Sequence, residues 1–410
     1  MRRFSIVLTL LALAGSLALA ACGGNGALDT PSPHDSSAIA GPTSLAGSYI
    51  VVLKPGTAPT AVTALTAQLA TAPAFIYDTA LLGFAGQLGS AEVARLKADP
   101  RVAYVEADRQ VKAFDTALAD QVAAPEAPAV VKTVSFAQVT PWGVSRIHAP
   151  QNANKGTGIG VAIIDTGIDL THPDLAHVVA GANFVRTGQA PNDDNGHGTH
   201  VAGIVAAADN SIGYVGVAPD ATVIAVKVLN RNGSGTMSGV IAGVNWVASH
   251  KTSSNISVAN MSLGAPGYSQ ALHDAIQGAT NAGVTFVVAA GNSSANAANY
   301  SPSGFDNVIT ASALNPNDTF AYYSNWGSVI DLIAPGTSIP SLYKNHGYAT
   351  LSGTSMASPH VAGSAALWIK DHPSDAFTAV RSALIAAGES GVWTGDPDGV
   401  YEPLVNAQSL

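Results

Sequence analysis

Five segments constrain the fold of this chain more than any other feature. GIGVAIIDTG (158–167), ATVIAVKVL (221–229), ISVANMSLG (256–264), VTFVVAAGN (284–292) and NVITASAL (307–314) are apolar and β-branched, with no polar alternation. A strand with one wet face alternates; runs like these are buried on both faces, as in a parallel sheet. Between them lie stretches with helical spacing of apolar residues: HVAGIVAAA, MSGVIAGVNWVASH, YSQALHDAIQGATNAG and SPHVAGSAALWIKDH. The alternation predicts an α/β domain of three layers, αβα, around a mainly parallel sheet. In such sheets chemistry gathers at the carboxyl ends of the strands.

Three motifs fall at those ends. Asp165 leaves a buried strand in VAIIDTGID, His197 opens a helix in NGHGTHVAG, and Ser355 opens another in GTSMASPHVAG. Taken singly, each has a structural explanation: a turn aspartate, a packed histidine, an N-cap serine. Taken together they are the parts of nucleophilic acyl transfer. A serine hydroxyl needs a base to take its proton, and the base needs a buried carboxylate to hold its tautomer. The resulting oxyanion needs fixed donors. The amide of Asn292, at the end of VVAAGN, and the N–H of Ser355 at a helix start are the candidates.

The motifs IIDTGID, GHGTHVAGIVAA and SGTSMASPHVAG resemble the three signature blocks of the subtilisin-like serine proteases (peptidase S8 family), and AAGN resembles their oxyanion block. The order Asp…His…Ser is also that family's order. The resemblance covers about residues 137–410 and implies a subtilisin-like fold and a secreted serine endopeptidase. It implies a triad of Asp165, His197 and Ser355, with Asn292 as oxyanion donor. A binding protein on the same fold and a serine esterase are the rival readings. GTSMA lacks the last glycine of G-x-S-x-G, which counts against an α/β-hydrolase esterase. HGTH lacks the glutamate of H-E-x-x-H, so no catalytic metal is expected; the family's residue at His200 is structural.

VKVLNRNGSGTMSG and ANMSLGAPG resemble the two segments between which the family holds an extended peptide by backbone pairing. This assigns Gly233, Ser234 and Gly235 to one rim and Ser262, Leu263 and Gly264 to the other, with Met237 at the fourth subsite. The uncharged pocket walls suggest an apolar or aromatic P1 preference. AAADNSIGYVGVAP matches a calcium loop of many subtilisins. The implied Ca²⁺ ligands are Asp174, Asn210, Gln138 and the carbonyls of Ala208, Ile212 and Tyr214, a donor set of oxygens. A weaker cation site is implied at Asp331, with carbonyls near Asp306 and Val308. The loop NSSANAANYSPSGFDN before it is more like the proteinase K branch.

The N-terminal third has its own organisation. Residues 1–21 read as an export signal, with a basic start and an apolar run. LAAC resembles a bacterial lipobox that would lipidate Cys22; ordinary cleavage near Ala20 is the alternative. Cys22 is the only cysteine of the 410 residues, which rules out an intrachain disulfide. Residues 22–46 read as a flexible tether. Residues 47–114 read as a small β-α-β-α-β unit that resembles the family's inhibitor-like propeptide, an α+β ferredoxin-like domain acting as folding assistant and temporary inhibitor. Its aromatic end predicts cleavage between Phe114 and Asp115. TVSFAQVTPWGV offers a second start, at Ala137 after Phe136, and leaves 115–136 as a linker before the catalytic domain at 137–410. The expected partners are therefore peptide substrates and the propeptide, with transient membrane anchorage through Cys22 and a monomeric enzyme. Hydrophobic residues make up 47% of the chain and charged residues 11%, as in a well-packed globular protein. A net charge of −9 gives no electrostatic footprint for nucleic acid.

Overall fold

A computed structural model describes residues 43–114 and 136–410. The expected export segment, Cys22 and Asp115 lie outside them. The first unit contains β1 (Ser44–Leu53), α1 (Thr60–Thr66), β2 (Phe75–Tyr77), β3 (Gly83–Gln87), α2 (Ser90–Ala98) and β4 (Val102–Ala113). Its strands run in the order β4-β1-β3-β2, each antiparallel to its neighbour, which is the ferredoxin-like arrangement. Val51, Leu53, Leu65, Phe84 and Leu96 close a small core between sheet and helices. Two details differ from expectation. The strand-rich stretch after Ala74 is two strands, because the polar Asp78-Thr79 pair turns the chain between them. β1 begins at Ser44, inside the expected tether, because a bulge lets it resume pairing with Arg109.

The second unit contains α3 (Trp142–Arg146), β5 (Gly160–Asp165), β6 (Val178–Asn183), α4 (His197–Ala206), β7 (Thr222–Lys227), β8 (Ser234–Thr236), α5 (Met237–His250), β9 (Ile256–Met261) and β10 (Leu263–Pro266). It continues with α6 (Gln270–Asn281), β11 (Thr285–Ala289), β12 (Tyr300–Ser301), β13 (Ile309–Leu314), β14 (Leu332–Pro335), β15 (Ile339–Tyr343), β16 (Gly347–Leu351), α7 (Thr354–Asp371) and α8 (Phe377–Ala387). Seven strands form one parallel sheet in the order β14-β13-β11-β9-β5-β7-β6.

The absence of polar alternation has its cause here. On β5, Val161 and Ile163 pack with Val201, Val205 and Ala362 on one face. Ala162 and Ile164 pack with Val240, Val244 and Ile276 on the other. Both layers are apolar, and each fully buried Ile or Val contributes about 1.5–3 kcal/mol. The three-layer αβα expectation therefore holds. The short β8, β10 and β12 carry no such pattern. They join the first unit's sheet instead, through β4.

Candidate active site

The chemistry sits where the central strands end. Asp165 is the last residue of β5, His197 the first of α4, and Ser355 the second of α7; Asn292 follows β11. Asp165 is completely buried and His197 is 6% exposed. The Asp165 carboxylate accepts the Nδ1 proton of His197 at 2.8 Å and the backbone N–H of Thr166 at 2.7 Å. That pairing makes Nε2 the basic nitrogen of the ring.

A network missed by sequence reasoning holds the histidine's helix. Asp193 Oδ1 accepts the N–H groups of Asn195 and Gly196 and the hydroxyl of Thr166, each at 2.9 Å. Its Oδ2 accepts the Thr199 N–H at 3.0 Å and hydroxyl at 2.6 Å. A carboxylate at the start of a helix satisfies unpaired N–H groups and faces the positive end of the dipole. The available signal was an acidic residue just ahead of the His197 motif. The next histidine, His200, is fully buried and meets the carbonyls of Ile339 and Ala349 at 3.0 and 3.1 Å. Burial pushes its pKa down to about 3, so it stays neutral as a packing residue.

The tail of the first unit lies in the cleft. Gln110, Val111 and Lys112 pair antiparallel with Thr236, Gly235 and Ser234 of β8. On the other side Lys112 and Ala113 pair with Gly264 and Leu263 of β10. The Ala113 N–H donates to the Gly233 carbonyl at 2.8 Å, and the Phe114 N–H donates to the Ser262 carbonyl at 3.3 Å. All six rim residues expected from sequence thus border one chain. Counting back from Phe114, Val111 is the fourth residue; it shares a buried apolar cluster with Met237.

The carbonyl of Phe114 ends this path. The Asn292 amide donates to its oxygen at 2.9 Å and the Ser355 hydroxyl at 2.8 Å. Asn292 is oriented by Thr354, whose N–H and hydroxyl donate to its Oδ1 at 2.9 and 2.8 Å. A second unforeseen contact runs from the Ser262 hydroxyl to the Ser355 carbonyl at 2.9 Å. The Phe114 ring enters a slot whose wall is Gly264: a Cβ there would come within 2.3 Å of its Cζ. Phe136, the alternative for this slot, lies elsewhere. Its ring packs edge-on to Tyr214 and Tyr348 at 5.1 and 4.9 Å, and Ala137 bridges to Ile212.

Two carboxylates on β4 complete the contact. Glu106 accepts the Ser269 hydroxyl at 2.6 Å and the Ala271 N–H at 3.0 Å, at the start of α6. Asp108 accepts the Ser238 N–H at 3.1 Å and hydroxyl at 2.6 Å, at the start of α5. Each puts a negative charge at the positive end of a helix.

The expected calcium residues are gathered in one place. Asp174 accepts from the Asn210 amide and the Tyr214 N–H, both at 2.9 Å. The Gln138 amide faces the Ala208 carbonyl at 2.6 Å and the Tyr214 carbonyl at 3.5 Å, and the Ile212 N–H donates to Asn210 Oδ1 at 2.7 Å. Burial pushes the Asp174 carboxyl up to about 6. Among the described residues no group of three or more His, Cys, Asp or Glu could hold a metal, so a cation here would rely on carbonyl and amide oxygens around one carboxylate. The position of the weaker cation is taken differently. Arg381 Nε donates to Asp331 at 2.7 Å and its Nη1 to the Asp306 carbonyl at 3.1 Å, and Val308 is buried. A guanidinium stands there in place of a metal.

Comparison with known proteins agrees with this arrangement. The sequence matches the Subtilase family over residues 156–397 and Peptidase inhibitor I9 over residues 48–114. It is 45% identical to Subtilisin Savinase of Lederbergia lenta over 276 residues, covering 67% of this chain and 99% of that protein. It is 40% identical to the Alkaline protease of Alkalihalobacillus alcalophilus over 326 residues, covering 79% of this chain and 77% of the relative. A crystal structure of a cold adapted subtilisin-like serine proteinase superposes with a TM-score of 0.60 at 39% identity, covering 65% of this chain and 97% of the other.

Proposed function

We propose, from the premise that the chain belongs to the subtilase family of serine proteases and carries an I9 propeptide domain, that it is an exported endopeptidase made as a zymogen. The observation that carries this reading is the Phe114 carbonyl, bonded at once to the Ser355 hydroxyl at 2.8 Å and the Asn292 amide at 2.9 Å. The chain is its own first substrate.

Ser355 Oγ attacks the carbonyl carbon as its proton passes to His197 Nε2. Asp165 stabilises the imidazolium through Nδ1. The carbonyl oxygen becomes an anion, met by the Asn292 amide and the Ser355 N–H in the first turn of α7. His197 then protonates the amine of Asp115, the C–N bond breaks, and an ester joins Ser355 to Phe114. Water, deprotonated by His197, hydrolyses the ester. The tail stays paired in the cleft, which makes the unit of residues 47–114 a temporary inhibitor. Trimming after Phe136 is the alternative start of the mature enzyme. A fluorophosphonate label mapped by mass spectrometry checks the nucleophile; label on any residue but Ser355 would sink the assignment. The esterase and binding-protein readings gain no support from a cleft lined for an extended peptide.

The Gly264 wall implies preference for an apolar or aromatic P1 residue. Gly264→Ala is expected to lower kcat/KM for Phe at P1 by about 100-fold, the scale of a misfitted pocket. Hydrolysis of an Ala-P1 peptide should fall much less, and equal losses for both would point to a distorted cleft.

Structural calcium is part of the proposal, held by Asp174, Asn210, Gln138 and the carbonyls of Ala208, Ile212 and Tyr214. A buried carboxylate among oxygens and amides fits that ion; it would pin 136–139 to the 208–214 loop and supply no catalytic step. At 1,000 times its Kd such an ion adds about 4 kcal/mol, so a chelator should lower Tm by roughly 10 °C. Scanning calorimetry with and without chelator decides it, and an unchanged Tm removes the site.

Export is supported by the sequence of residues 1–22. The lipobox reading adds a tether at Cys22 that cleavage after Phe114 would leave behind. Membrane-bound, fully cleaved enzyme would contradict it.

A further inference from the structure

Counting back from Phe114, Arg109 is the sixth residue, one place beyond the pairing of Gln110 with Thr236. The tail is therefore still in register with the cleft when it reaches Arg109. The side chain does not turn out to solvent: Arg109 is 6% exposed. Its Nη1 donates to the Pro266 carbonyl at 3.0 Å and its Nη2 to the Tyr268 carbonyl. Within its own unit Nη2 also reaches Glu106 at 3.3 Å.

Both carbonyls belong to a turn that the protease builds from its own contacts. Gly267, between them, has a φ of +81°, a conformation open to glycine. Its N–H donates to the Asn299 carbonyl at 2.7 Å. Its own carbonyl accepts the Ser301 hydroxyl at 2.8 Å, and Ser301 Oγ accepts the Ser269 N–H at 2.9 Å. The turn is thus tied to β12 on either side of Tyr268, and the carbonyls of Pro266 and Tyr268 are left to face the guanidinium. Two carbonyl oxygens that converge on one place suit a donor and have nothing to offer an anion. The surroundings are electronegative as well. Burial first, and then the charges of Asp306, Asp274 and Glu106, raise the Tyr268 phenol above its ordinary range. Asp306 meets His273 at 3.0 Å, and Asp274 accepts the Tyr104 hydroxyl at 2.6 Å. Under the proposed maturation Tyr104 and Glu106 leave with residues 47–114, whereas Pro266, Tyr268, Asp274 and Asp306 stay with the protease.

We propose that the turn at 266–268 is a sixth subsite of the cleft. It selects substrates with a cationic side chain, arginine above all, at the sixth residue counted back from the bond that is cut. The inference rests on the endopeptidase reading, and the experiment separates the two.

The probe is an acetylated p-nitroanilide peptide copied from residues 110–114, Gln-Val-Lys-Ala-Phe, with matured enzyme obtained from the full chain. Failure to hydrolyse this peptide would refute the endopeptidase reading itself. With hydrolysis present, peptides lengthened by one residue at the front are compared. Arg in that place should raise kcat/KM at least about fivefold over Gln, since its hydrogen bonds to the two carbonyls are charge-assisted. Glu should fall at least about twofold below Gln, because a carboxylate has no proton to donate to them. Arg no better than Gln overturns the subsite, and so does Glu equal to Gln. The full chain has a net charge of −9, so a general attraction for cations needs its own control. A longer peptide, Arg-Gln-Gln-Val-Lys-Ala-Phe, carries Arg in the seventh place and Gln in the sixth. Successive side chains of a strand point to opposite faces, so this peptide should match the one with Gln in the sixth place within about twofold. A gain equal to that of Arg in the sixth place assigns the effect to overall charge and overturns the proposal.

Discussion

Ser355→Ala is expected to abolish both peptide hydrolysis and self-cleavage. The full chain should accumulate with its Phe114–Asp115 bond intact. The loss in kcat should be about 10⁶, a magnitude known for subtilisin, a member of the same family, and not computed from this geometry. The effect is large because the serine is completely buried against the tail of the first unit, with its hydroxyl 2.8 Å from the Phe114 carbonyl oxygen it is proposed to attack. No water can take that place while the tail is bound. Fold should be preserved, since the hydroxyl's two bonds, to Phe114 and to the Ser262 carbonyl, both lie within the cleft. Intact-mass measurement of purified protein and a casein assay check it. A variant precursor that still cuts itself after Phe114 would overturn the mechanism.

Asn292→Ala should be the next most damaging change. It removes the donor held at 2.9 Å from the Phe114 oxygen. The expected loss is about 10²–10³ in kcat, or about 3–4 kcal/mol of barrier, with KM nearly unchanged; subtilisin's own oxyanion amide supplies this magnitude. The split matters, because charge on that oxygen exists only in the transition state. A rise in KM at constant kcat would instead make Asn292 a residue of ground-state binding. Thr354 gives a companion check, because its N–H and hydroxyl both donate to the Asn292 Oδ1 and so orient the amide. Thr354→Val should cost less than Asn292→Ala.

The parallel sheet was legible because its strands are buried on both faces, and no other common environment tolerates such runs as VAIID and TVIAVK. Asp165, His197, Ser355 and Asn292 could be placed at element ends from the same pattern; the structure pairs Asp165 with His197 and sets the Asn292 amide and the Ser355 hydroxyl on one carbonyl oxygen. The rims were legible only through resemblance: β8 and β10 are three and four residues long and pair with a chain more than 100 residues away. Asp193 and Thr354 escaped notice because their work is to orient other groups, and a buried carboxylate or hydroxyl has no period. Glu106, Asp108 and Gly278 meet their partners across an interface between distant parts of the chain. Local sequence is silent on that, and Arg381 beside Asp331 escaped for the same reason.

Gly278, on α6, lies against the first unit: a Cβ there would come within 1.7 Å of the Ala80 carbonyl oxygen. Within a helix, glycine costs about 1 kcal/mol relative to alanine. Under the proposed maturation the Ala80 carbonyl that requires the glycine leaves with residues 47–114, and the matured domain would keep that cost. Gly278→Ala should therefore raise the melting temperature of the matured domain by roughly 2–4 °C, and reduce how much of the full chain ever matures. The residue that best suits the matured domain and the residue that best suits the full chain are therefore different at this position.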